Sequence, residues 1–142
     1  MNDDTFNLKR FVEAQDKMFD IVLQELRAGR KESHWMWFVF PQLKGLGKSY
    51  MSDYYSLESI EEAHAYLVHP ILGKRLETCF KILLESKINN PVRIFGHVDH
   101  KKFHSCTTLF LIAKPQNQMF RQVIEKFWGV TDFETENLLR KG

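Results

Sequence analysis

From Leu8 to Leu26 apolar residues return at intervals of three and four: Leu8, Phe11, Val12, Met18, Phe19, Val22, Leu23 and Leu26, with Gln15 on the same stripe. That spacing places them on one helix face. It predicts a first helix that Asp3 or Asp4 can open and Gly29 can stop. Arg27, Arg30 and Lys31 follow, where cations suit a helix C-terminus. Ser59-Ile60-Glu61-Glu62 has the form of a capping box and predicts a second helix with Ile60, Ala63, Tyr66 and Leu67 on its apolar face. His69-Pro70 ends it, and Pro70 suits the first turn of a third helix, faced by Leu72, Leu76, Cys79, Phe80, Leu83 and Leu84. Asn90 can cap a short helix over 91–95 that Gly96 stops. Asp99 is the expected cap of the next helix, 100–113, although 107–112 also has strand propensity. Met119, Phe120, Val123, Ile124 and Phe127 predict another helix, stopped by Gly129, and 132–140 a short final one. With no internal repeat, low-complexity tract or linker, the expectation is an all-α fold: a single compact multi-helix domain over 1–142 with a central aromatic-rich segment.

That segment is Ser33-His34-Trp35-Met36-Trp37-Phe38-Val39-Phe40-Pro41-Gln42, and it follows no helical period. An apolar run as short as 35–40 fits either a buried strand or a buried turn of helix. Pro41 biases Phe40 away from helical dihedrals, so the element ends there. Gly45 and Gly47 then make a flexible loop carrying Lys44 and Lys48. The stretch 50–56 has no clean period either and reads as loop or short extended structure. Core packing accounts for Trp35, Phe38 and Phe40 taken alone. His34, Gln42, Arg30, Lys31, Lys44 and Lys48 stand beside them, and an apolar wall with a few convergent polar groups is what a small-ligand pocket requires.

A chain of 142 residues that is 44% hydrophobic and 13% aromatic can bury a real core. Its net charge of +2 is too balanced to demand nucleic acid, which is not the expected partner. No apolar run approaches a membrane span, so no membrane association is expected. Met1-Asn2-Asp3-Asp4-Thr5 lacks the apolar core of a signal peptide, which points to the cytoplasm. There Cys79 and Cys106 are expected as buried thiols. His97, His100 and His104 have a spacing that zinc ligands use, but no Glu follows His100, and Lys101 and Lys102 disfavour a cation. A solvated basic face is the better account; no metal and no cofactor are expected. Ser105 lies next to His104, yet neighbours on a helix point apart, and Gly-x-Ser-x-Gly is absent. Gly45-Leu46-Gly47-Lys48-Ser49 ends like a P-loop, but Gln42 stands where the first glycine is needed. A glycine loop with Lys44 and Lys48 can still bind an anion through its backbone N–H groups.

The stretch from Ser33 to Gly47 resembles the signature of the bacterial family catalogued as DUF1810. Phe6-Asn7-Leu8-Lys9-Arg10-Phe11, Ala65-Tyr66-Leu67-Val68-His69-Pro70-Ile71-Leu72-Gly73 and Ile94-Phe95-Gly96 fit the same pattern, as do Ser49-Tyr50-Met51-Ser52, Asp99, Lys102, Ser105 and Thr108-Leu109-Phe110. The resemblance runs from Phe6 to about Leu139 and implies a small, mainly α-helical protein without an established function. His97, His100 and His104 lie off the family pattern, whereas His34, Trp35, Trp37, Gln42, Asp99, Lys102 and Ser105 lie on it. Two readings stay open. In the first, a pocket beside the aromatic segment binds a small anionic ligand, a nucleotide or another phosphate-bearing metabolite, with hydrolase or transferase chemistry open to it. Trp35 or Trp37 would wall the ligand, Gln42, Lys44, Lys48 and Asp99 would line the site, and His34, Lys102 and Ser105 would be its catalytic candidates. In the second, the chain is a non-enzymatic module that docks a protein partner through Tyr54, Tyr55 and the 44–52 loop.

Overall fold

The capping and break signals decide where the helices stand. The computed structural model describes residues 4–141. It holds eight helices among them: α1 Lys9–Ala28, α2 Met36–Val39, α3 Tyr50–Tyr54, α4 Ile60–Val68, α5 Leu72–Glu85, α6 Pro91–Ala113, α7 Gln118–Phe127 and α8 Phe133–Lys141. The described residues form no strand, and their one extended pairing is an isolated parallel bridge between Leu43 and Leu57. The all-α expectation holds. No helix among the described residues is long and apolar enough to cross a membrane.

Asp3 lies outside the described residues. Asp4 does serve the start of α1, accepting the N–H groups of Leu8 (2.7 Å) and Lys9 (3.0 Å). Gly29 ends α1 in the left-handed conformation, as expected. Ser59 caps α4 by accepting the Glu62 N–H at 3.1 Å, but Glu62 reaches back one residue further than a capping box requires, to the Glu58 N–H at 2.9 Å. The stretch read as loop or extended structure is helix α3. Its signal is a cap rather than a period: Ser49 accepts the Ser52 N–H at 3.1 Å, and the helix buries no residue. Asp99 is not a cap. Gly96, at φ 84° and ψ 174°, stops the short helix that Asn90 opens, as expected, and a second helix follows at once as the other arm of α6, with Asp99 in its first turn.

The second arm of α6 runs through the middle of the molecule. Every residue from Ser105 to Leu111 is buried, so the strand-like run is a helix surrounded on all sides. As a whole α6 packs against α4, α7, α8 and α2, while α5 packs against α1, α4 and α7. Phe103 is the centre of an aromatic cluster, with ring centroids 4.7 Å from Phe95, 4.8 Å from Phe40, 5.4 Å from Phe80 and 5.5 Å from Trp128. Lys126 on α7 donates to the carbonyls of Leu83, Leu84 and Ser86 at 2.5–3.1 Å, satisfying the C-terminus of α5. Cys79 and Cys106 are free and buried. Burial pushes the Cys79 thiol up to about 12 and raises Cys106 as well.

Candidate functional site

The aromatic segment is held by one carboxylate. Glu25, on the buried side of α1, accepts the N–H groups of Glu32 (2.8 Å) and Ser33 (2.9 Å), the Trp35 indole N–H (2.9 Å) and the Ser33 hydroxyl (2.5 Å). Burial alone would raise its pKa. The donors from Ser33, Glu32 and Trp35 outweigh that and hold it at about 2. His34 sits between these anchored residues, with its side chain exposed. Gln15 fixes the far end by donating to the Phe38 carbonyl (2.6 Å) and the Tyr66 hydroxyl (3.0 Å). Between these clamps α2 makes one turn that buries Met36, Phe38 and Val39 and leaves Trp37 half-exposed.

Opposite α2, the second arm of α6 brings up Asp99 and Lys102. The Lys102 ammonium stands 5.7 Å over the centroid of Trp37 and 3.7 Å from Asp99. Asp99 also pairs with Lys31 at 2.8 Å, and Lys31 in turn lies 5.1 Å over the ring of Trp35. One carboxylate therefore joins two lysines, each set over a different tryptophan. Lys31 is further tied by donating from its ammonium to the Ser33 carbonyl at 2.6 Å and from its N–H to the Ile94 carbonyl at 2.7 Å, a group that the break at Gly96 frees. His34, Trp37, Asp99 and Lys102 together line a cleft of about 460 Å³. Gln42, Lys102 and Ser105 line an adjoining cleft of about 780 Å³.

The remaining candidates go elsewhere. Trp35 is fully buried in the core and lines neither cleft. Lys44 lies at the surface, 3.3 Å from Glu58 and 3.7 Å from Asp53, and neither Lys44 nor Lys48 lines either cleft. Ser105 donates to the Lys101 carbonyl and to Asp132, both at 3.1 Å, and to no histidine. Asp132 also accepts from the Thr135 hydroxyl at 2.6 Å, so this network ties α6 to the start of α8. His100 and His104 meet at Trp128. The His104 ring stacks on the Trp128 ring at 4.1 Å and 14°, and the Trp128 indole N–H faces His100 Nδ1 at 3.4 Å. Among the described residues no group of three His, Cys, Asp or Glu side chains is placed to hold a metal. Burial lowers the pKa of His100, with Lys101, His104 and His97 adding to the effect.

Sequence reasoning passed over Glu25 and undervalued Lys31. Glu25 left a signal, because a carboxylate that abuts the Val22–Leu26 stripe needs partners once buried. The Lys31–Asp99 pair left none, since only the fold brings the loop after α1 to α6.

Residues 5–139 match the family described as a protein of unknown function, DUF1810. The chain is similar to the conserved hypothetical protein Rv1873 from Mycobacterium tuberculosis, whose crystal structure superposes with a TM-score of 0.94. The two are 46% identical over 96% of this chain and 99% of that one. No curated protein matches. A family match over nearly the whole chain, together with that superposition, leaves one conclusion: the chain belongs to the DUF1810 family.

Proposed function

We propose that this chain binds a small anionic ligand, a nucleotide or another phosphate-bearing metabolite, in the cleft beside Trp37. The observation that carries this reading is the position of Lys102, over the face of Trp37 and inside a cleft of about 460 Å³. That size falls within the range of small-ligand pockets. Asp99 neutralises one of two lysines, so the wall keeps excess positive charge, and His34 and His97 add two imidazoles to the lining. His34 is the acid–base group for any hydrolase or transferase chemistry here. The test is thermal unfolding of wild type, Lys102→Ala and Trp37→Ala with inorganic phosphate, AMP, ADP and sugar phosphates. A ligand that binds the native state raises the melting temperature of wild type, and the two variants lose that rise. Failure of every compound at millimolar concentration to stabilise wild type overturns the proposal.

A second reading, a protein-docking module, is favoured by α3. Its Tyr50 and Tyr54 stack at 6.0 Å and stand 78% and 44% exposed. Its distinguishing result is an absence of ligand stabilisation combined with self-association, in sedimentation, that Tyr50→Ser abolishes.

A further inference from the structure

The cleft beside Trp37 does not end at Gly96. A third cleft, of about 610 Å³, opens on the other side and shares Lys31, Phe95 and Gly96 with the first. It is lined by Arg30 and Arg93 and by no carboxylate. None of the ion pairs among the described residues uses either arginine. The opposite end differs in character. The 780 Å³ cleft joins the first at His97, Val98 and Lys102, and there Asp132 and Glu134 enter the lining beside Leu46 and an exposed Phe133. This set of clefts, adjoining through shared lining residues, carries only cationic charged groups at one end, a tryptophan in the middle, and apolar and acidic groups at the other end. A ligand matched to it carries its negative charge at one end and a flat, less charged body at the other.

Resting on the function proposed above, we infer that the ligand is a nucleoside polyphosphate, its base on the Trp37 side and its phosphate chain running past Gly96 to Arg30 and Arg93. Planar guanidinium groups without a carboxylate partner suit phosphate oxygens, which they can engage bidentately. Lys102 stands over one face of Trp37, so a base stacked on this ring takes the opposite face.

The experiment is titration calorimetry of AMP, ADP, ATP and inorganic tripolyphosphate against wild type, the double variant Arg30→Ala/Arg93→Ala, and Trp37→Ala. Both arginines are exposed, so the double variant is expected to fold, and its melting temperature checks this. The expected result is affinity rising by at least about tenfold from AMP to ATP in wild type, and by less than about threefold in the double variant. ATP bound no tighter than AMP, or a rise that survives loss of both arginines, overturns this inference while leaving the binding proposal standing. Tripolyphosphate bound as tightly as ATP, with Trp37→Ala silent, overturns the place of the base. No binding of any nucleotide or phosphate overturns both.

Discussion

Lys31 and Asp99 form a salt bridge of 2.8 Å in the wall of the candidate cleft, with the Lys31 side chain only 7% exposed. Asp99 is also the carboxylate nearest Lys102, at 3.7 Å. Replacing it leaves two lysines facing each other, one of them buried. Asp99→Asn is therefore expected to cost about 2–4 kcal/mol of stability, somewhat less than the roughly 3–5 kcal/mol for stranding one partner of a fully buried pair, because Asp99 is partly exposed. The same change makes the cleft more positive, so phosphate or nucleotide affinity should rise. Urea unfolding and calorimetry on one preparation check both signs. A variant that loses stability and affinity together would show Asp99 to be a positioning group for Lys102 instead of a brake on anion binding.

Glu25 carries the sharpest pH prediction. Its folded carboxyl sits at about 2 against an ordinary 4.5. A group with a depressed folded pKa contributes stability that is complete above its unfolded value and is lost as pH falls through the folded one. The window is thus pH 4.5 down to about 2, and the contribution is about 3 kcal/mol. Glu25→Gln should be less stable by a similar amount at pH 7, since an amide oxygen cannot serve four donors, and its acid unfolding curve should be flatter between pH 4.5 and 2 than that of wild type. Because Trp35 donates to Glu25, tryptophan fluorescence is a fitting probe.

Arg10 and Glu62 make a buried pair at 3.0 Å. Arg10 uses its whole guanidinium: it donates to the carbonyls of Phe6, Asn7, Tyr54 and Ser56 as well as to Glu62, pinning α1 to the loop that leads into α4. Lysine has neither the fork nor enough donors. Arg10→Lys is expected to cost about 3–5 kcal/mol, the penalty for breaking a buried pair and orphaning carbonyls. Arg10→Met/Glu62→Leu should cost less than the sum of its single variants, because the second substitution removes a charge already stranded. Denaturant midpoints for the four proteins settle this cycle.

Helices with one wet face were legible in the sequence: α1, α5 and α7 show their buried stripes at the expected spacing. Two kinds of element were not. In α3 both ends are exposed tyrosines and nothing is buried, so no apolar period exists to read, and the helix rests on the Ser49 cap. In the second arm of α6 burial from Ser105 to Leu111 is complete, so period gives way to a continuous run that a strand would share. The site divides the same way. His34 and Trp37 could be singled out locally, as an imidazole and an aromatic beside cations in one segment, whereas Lys102 and Ser105 stand out only because they lie on the resembled family's pattern. Lys44 was misleading for the opposite reason: its neighbours in space, Asp53 and Glu58, arrive only when the Leu43–Leu57 bridge folds the loop back.

Gly73 and Gly96 separate stability from site geometry. A Cβ on Gly73 would lie 2.2 Å from the Leu67 carbonyl oxygen, a backbone atom that cannot turn aside, so Gly73→Ala must push α4 and α5 apart. A cost of about 1–3 kcal/mol is expected, as for other overpacked contacts. A Cβ on Gly96 meets nothing within 4 Å, yet φ 84° with ψ 174° is backbone that only glycine adopts readily. Gly96→Ala should also cost about 1–3 kcal/mol, but by strain that the chain can relieve by continuing the helix through residue 96. Continuity would withdraw the Ile94 carbonyl from the Lys31 N–H and re-aim Asp99 and Lys102 relative to Trp37. Equal losses of stability should therefore come with unequal effects on binding: affinity near wild type for Gly73→Ala, and a fall of about tenfold or more for Gly96→Ala. Circular dichroism should show helix gained in Gly96→Ala alone. Identical affinities in the two variants would mean that the bend in α6 does not shape the cleft.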